Sequence, residues 1–188
     1  MNEHLMTIIC VLTAIVFIGF IIMIYNGLIT KKNQVKNAWA QIEVQLKRRY
    51  DLIPNLIETV KGYMEHERST LEAVTKARQI AMNGQVDAKA QANAENILSG
   101  TLKSLFAVAE NYPDLKANQN FLALQEELTT TENKISFARQ FYNDAVMIYD
   151  NAREVFPNNM IVEVFRFEKF SLFEIENSEE RKAPEVKF

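Results

Sequence analysis

Residues Leu5 to Tyr25 read LMTIICVLTAIVFIGFIIMIY, 21 residues without a charge. About 20 consecutive apolar residues in a helix cross the hydrocarbon core of a bilayer, and a helix satisfies its own backbone groups there. The stretch therefore predicts a membrane-spanning helix, with Leu5, Ile15, Phe20 and Tyr25 marking its course. A cleavable signal peptide fits poorly. The flank Met1-Asn-Glu-His4 carries no Lys or Arg, the apolar run is too long, and no A-x-A-like site follows.

Charge sets the expected orientation. Glu3 is the only charged side chain before the span, whereas Lys31, Lys32, Lys36, Lys47, Arg48 and Arg49 follow it. Positive charge near a span stays on the cytoplasmic side. The expected layout is a short external N-terminus (1–4), a span (5–25), a cytoplasmic helical bundle (26–156) and an aromatic-rich C-terminal tail (157–188). The localisation that follows is the cell membrane, in a single pass.

Beyond the span, about 160 residues remain, enough for a sizeable core without staples. Five Gly and four Pro favour long regular elements. Asn26 to Asn83 reads as helix. Val35, Trp39, Ile42, Leu46, Ile53, Leu56, Val60, Tyr63 and Val74 recur at steps of three and four. Pro54 interrupts it. A continuous helix would be kinked there, with the Tyr50 carbonyl short of a partner. The alternative is two helices, with Asp51 capping the second. Asn83-Gly84 is a stop, Val86 to Asn111 a further helix, and Tyr112-Pro113-Asp114 its end, with Asp114 as a cap for the next helix.

That last helix, expected from Leu115 to Phe156, has the clearest pattern. Phe121, Leu128, Ile135, Tyr142, Tyr149 and Phe156 repeat every seven residues, and Leu124, Thr131, Ala138, Ala145 and Ala152 fill the alternate positions. Such a 4-3 seam suits bundle packing. The fold class expected is all-α: a transmembrane helix followed by a long-helix, four-helical antiparallel bundle.

Little in the chain carries catalytic chemistry. Two histidines and one cysteine, Cys10, supply no metal spacing and no Cys/His nucleophile pair. Neither histidine has a Glu three residues before it, so the di-metal carboxylate bundle has no ligands. Phosphate-cradling glycine loops are absent, and a net charge of −3 argues against a general nucleic-acid binder. The expectation is no enzyme, no cofactor and no metal.

Two polar groups stand out. Lys47, Arg48, Arg49 and Asp51 form a basic cluster, which would touch anionic lipid if it lay near the inner leaflet. Arg49, however, lies on the apolar stripe, and a buried arginine needs a carboxylate. Pairing with acids on neighbouring helices is the favoured reading. Glu132, Asn133, Arg139 and Asn143 belong to a second polar set, in which Glu132 and Arg139 flank the seam of the last helix at a seven-residue spacing. They fit either a buried ion-pair network that fixes register or a binding groove. In the tail, Phe165 to Phe173 is expected to dock on the bundle, because a free tail would expose many aromatics.

Several of these segments together resemble one family. They are Ala38-Trp39; Leu46-Lys-Arg-Arg-Tyr-Asp-Leu-Ile-Pro-Asn-Leu56; Glu95-Asn96; Tyr112-Pro-Asp-Leu-Lys-Ala-Asn-Gln-Asn-Phe121; Leu124-Gln-Glu-Glu-Leu128; Ala138-Arg-Gln-Phe-Tyr-Asn143; and Ala183-Pro184 with Val186 and Phe188. The set is similar to the LemA family of bacteria over nearly the whole chain. The resemblance implies an N-terminal transmembrane helix, a soluble four-helical bundle and, in some members, an outside N-terminus. It supplies no catalytic residues. It places family members in envelope biology, beside heat-shock membrane metalloproteases in some bacteria and in magnetosome membranes in others. The expected role is a membrane-tethered scaffold or adaptor for a membrane or cytoplasmic protein. The alternative is an inner-leaflet lipid-binding or membrane-remodelling bundle.

Overall fold

The computed structural model describes residues 2–84 and 87–173. The expectations for Val86 and for the tail beyond Phe173, including Pro184 to Phe188, lie outside the described residues. Every element is a helix: α1 (Asn2–Lys61), α2 (Arg68–Met82), α3 (Ala88–Ala109), α4 (Pro113–Lys116), α5 (Gln119–Glu154) and α6 (Asn158–Phe165). No strand occurs among the described residues. Two compact units share these helices. One comprises the chain up to Ala40 with Gln140–Phe170; the other comprises Gln41–Arg139 with the described residues from Ser171.

In the first unit, the apolar stretch of α1 leaves Leu5, Ile15 and Phe20 exposed, while Tyr25 is half-buried. This is the one helix among the described residues long and apolar enough to cross a membrane. Burial begins at Leu28 and continues through Val35 and Ala38, at the spacing of one helix face. Opposite them, α5 buries Tyr142, Val146 and Tyr149. Trp39 meets Tyr142 edge-on at 5.3 Å between ring centroids, a favoured aromatic geometry.

In the second unit, α1 continues unbroken through Pro54. The lost hydrogen bond is replaced from outside the helix: Arg78 Nε donates to the Tyr50 carbonyl at 2.7 Å. Asp51 caps nothing; it accepts from Lys47 Nζ at 2.8 Å, one turn away. The break falls later than either expectation placed it. Helix ends at Lys61 and resumes at Arg68, so 26–83 is two helices. The amides of Tyr63 and Met64 both donate to the Val60 carbonyl at 3.0 Å and close a turn. Met64 is fully buried in that turn while Tyr63 is exposed. Tyr63, counted in the stripe, thus belongs to the turn and not to the buried face, and its neighbour Met64 is buried instead.

α2 and α3 pack against each other, burying Val74, Ala77 and Ala81 on one and Ala88, Ala92, Leu98 and Leu105 on the other. Between them Gly84 takes φ +63°, a left-handed conformation that favours glycine. Asp87 caps α3 by accepting from the Ala90 amide at 2.8 Å. Two expectations about the last long helix are corrected. Its cap is Asn118, whose Oδ1 accepts from the amides of Asn120 and Phe121 at 2.9 and 3.1 Å. Asp114 instead lies in the single turn α4, which Pro113 begins. The helix also ends at Glu154, so Phe156 falls beyond the seam and stands 79% exposed. The other five large seam residues, Phe121 to Tyr149, are buried.

Candidate functional site, a buried ion-pair cluster

The second unit buries a polar cluster in a largely apolar core. Arg49 comes from α1, where its place on the Ile42–Leu46–Ile53 face turns it inward. It is 1% exposed and pairs with Glu95 of α3, which is 0% exposed. Its other amino group pairs with Glu132 of α5, 42% exposed, and donates to Ser99 Oγ at 2.9 Å. Ser99 Oγ in turn donates to Glu132 at 3.1 Å. Tyr50 donates its hydroxyl to the second oxygen of Glu95, which also accepts from Gln91 Nε2 at 2.7 Å. Gln91 further donates to the Ala81 carbonyl at 3.2 Å.

Three long helices therefore meet through one guanidinium. Burial lowers the Arg49 basicity, opposed by the charge and hydrogen bond of Glu132. Burial likewise raises the Tyr50 phenol, keeping it a donor to Glu95. Arg139 joins as a second cation. Burial first, then the charge of Arg49, lowers it to about 10, so it remains charged at neutral pH. Its Nε and Nη2 are buried without a hydrogen-bond partner, and its guanidinium lies 4.6 Å from the centroid of the Phe173 ring, a cation–π contact.

The other residues singled out in the sequence lie elsewhere. Lys47 is exposed and paired with Asp51; Arg48 donates to Glu127 of α5 at 3.0 and 3.2 Å. Asn133 is exposed and Asn143 half-buried. Sequence reasoning missed Tyr50, Gln91, Glu95 and Ser99 as members of the cluster. The available signal was spacing: Gln91, Glu95 and Ser99 follow one another every four residues in α3, beside the apolar Leu98–Leu102–Leu105 face.

Chemically, the arrangement pairs one buried guanidinium, Arg49, with the carboxylates of Glu95 and Glu132 from two other helices, with Arg139 as a second cation nearby. Among the described residues no three His, Cys, Asp or Glu side chains are grouped to hold a metal ion.

Known proteins resemble this chain along most of its length. It is 24% identical over 168 residues to Protein LemA of Metamycoplasma hominis, covering 87% of this chain and 77% of that one. It is 22% identical to Magnetosome protein MamQ 2 of Paramagnetospirillum magneticum, covering 91% and 72% of the two chains. Identity to Magnetosome protein MamQ of Magnetospirillum gryphiswaldense is also 22%, over 90% and 72%. The pattern that defines the LemA family matches residues 38–188, which include every residue of the ion-pair cluster; the chain belongs to the LemA family.

Proposed function

We propose that this chain is a single-pass, membrane-tethered scaffold without catalytic activity, its N-terminus outside and its bundle in the cytoplasm. The observation that carries the reading is the division of α1. Its apolar side chains from Leu5 to Phe20 all stand open, whereas from Leu28 to Val60 one face is core, marked by Leu28, Val35, Ile42, Ile53 and Val60. An apolar helix surface of that length, open on all sides, is stable in a bilayer and unfavourable in water. The remaining helices, read as a four-helical antiparallel bundle, then present a folded surface at the membrane. Partners of the scaffold are membrane or cytoplasmic proteins, with a heat-shock membrane metalloprotease the class that the family resemblance suggests.

The inner-leaflet lipid-binding alternative relied on Lys47, Arg48, Arg49 and the aromatic tail. Lys47 and Arg48 are paired at the surface and Arg49 is buried, so their charge is largely answered within the protein. That favours the scaffold. Crosslinking with mass spectrometry in native membranes tests it. Reproducible recovery of one membrane or cytoplasmic protein on the bundle is the expected result; recovery of lipid and self-contacts alone overturns it. Protease shaving of intact cells tests the orientation, and cleavage of the bundle from outside would reverse it.

A further inference from the structure

Helix α6 follows the aromatic seam and has no buried residue. Met160, 58% exposed, and Val164, 73% exposed, are one turn apart on its open side. Phe156, just before the helix begins, is exposed as well. Ile161 and Val162 are half-buried, and Asn159 and Glu163 supply a narrower polar edge. A short helix with this much open apolar surface is poorly suited to water.

Its place in the first unit explains the surface. Phe165, the last residue of α6, packs on the ring of Tyr25 at 4.9 Å between centroids, and Phe167 meets the same ring at 5.6 Å. Tyr25 ends the apolar stretch of α1, and the first charge after it is Lys31. In a spanning helix of this length the ring of Tyr25 comes to the boundary between acyl chains and headgroups, where tyrosine is enriched. A helix whose end stacks on that ring lies at the same depth. Lys31 and Lys32 follow six and seven residues later, about 10 Å further along the axis at 1.5 Å per residue, the level of lipid phosphates.

We infer that α6 is a membrane-interface helix, with Met160 and Val164 inserted among the upper acyl chains of the leaflet where α1 leaves the bilayer, beside headgroups held by Lys31 and Lys32. The occupant of the open face is phospholipid. This rests on the reading of α1 as a membrane span, and it adds a second membrane contact from the opposite end of the chain.

The test uses the full chain with Cys10→Ala, reconstituted singly into nanodiscs of phosphatidylcholine and phosphatidylglycerol. Single cysteines replace Val164, Phe17 in the span, or Glu126, which is exposed on α5, and each carries an environment-sensitive fluorophore. Lipids bearing a nitroxide near the headgroup or near the acyl terminus serve as quenchers. The expected result is strong loss of emission at 164 from the shallow quencher, loss at 17 from the deep one, and none at 126. Emission at 164 matching that at 126, with position 17 still quenched, overturns the interface helix and leaves the span standing. No quenching at 17 removes the span and the interface helix together. A second variant, Met160→Glu, should weaken shallow quenching at 164 with unchanged helical content; unaltered quenching would also overturn the assignment.

Discussion

Arg78 Nε donates to the Tyr50 carbonyl at 2.7 Å, and that is the carbonyl that Pro54, four residues on, cannot serve. Proline has no N–H, so an interior proline leaves an acceptor open one turn back. A side chain from α2 closes it, and α1 passes through Pro54 without ending. Arg78→Met should cost about 1–3 kcal/mol, because a buried carbonyl loses its donor. In a Pro54→Ala background the helix backbone regains its own amide at that position, so the same change should cost much less. Urea unfolding of the four proteins in detergent measures the coupling; an equal cost in both backgrounds would show that the two residues act independently.

The two carboxylates on Arg49 are expected to differ sharply. Glu95 is sealed in the core and Glu132 is open to solvent on one side. Removing one partner of a buried pair leaves an uncompensated charge, at a cost of about 3–5 kcal/mol. Where water reaches the pair, the cost falls to about 1 kcal/mol or less. Glu95→Gln should therefore destabilise strongly and Glu132→Gln mildly. The reverse order in denaturant midpoints would contradict the burial of this cluster.

Tyr142 gives a pH signature. Burial first, then the charge of Asp150, pushes its phenol up to about 12 from the usual 10. The unfolded chain thus releases this proton before the folded one does. Its contribution is fully present below pH 10 and is lost as pH rises from 10 to 12. Relative to Tyr142→Phe, the parent should lose on the order of 2 kcal/mol across that window. Parallel stability curves for the two proteins through that window would refute the assignment.

The entrance to α5 separates two capping assignments. Asn118 accepts from two amides of the first turn, whereas Asp114 belongs to α4. Asn118→Ala should lower stability by about 1 kcal/mol, and Asp114→Ala should stay within about 0.5 kcal/mol. Thermal unfolding of both variants checks this. A larger loss at 114 would favour a helix starting at Leu115.

Periodicity alone determined much of this protein. The uncharged run Leu5–Tyr25 defined a helix surface suited to lipid, and the seven-residue repeat marked Phe121, Leu128, Ile135, Tyr142 and Tyr149 as core, because a face repeats locally along a helix. The inward position of Arg49 was equally legible, since it interrupts an apolar stripe. Tertiary structure decided the rest. The turn at 62–67 was hidden because Tyr63 continued the apolar rhythm in sequence, although the backbone leaves the helix there, exposing Tyr63 and burying Met64 in its place. Glu95 lies 46 residues from Arg49, and Arg78 lies 28 from Tyr50. No local pattern specifies which distant side chain answers a buried charge or an open carbonyl. That choice is made only when the helices pack, because the cost of an unsatisfied polar group is incurred only once water is excluded.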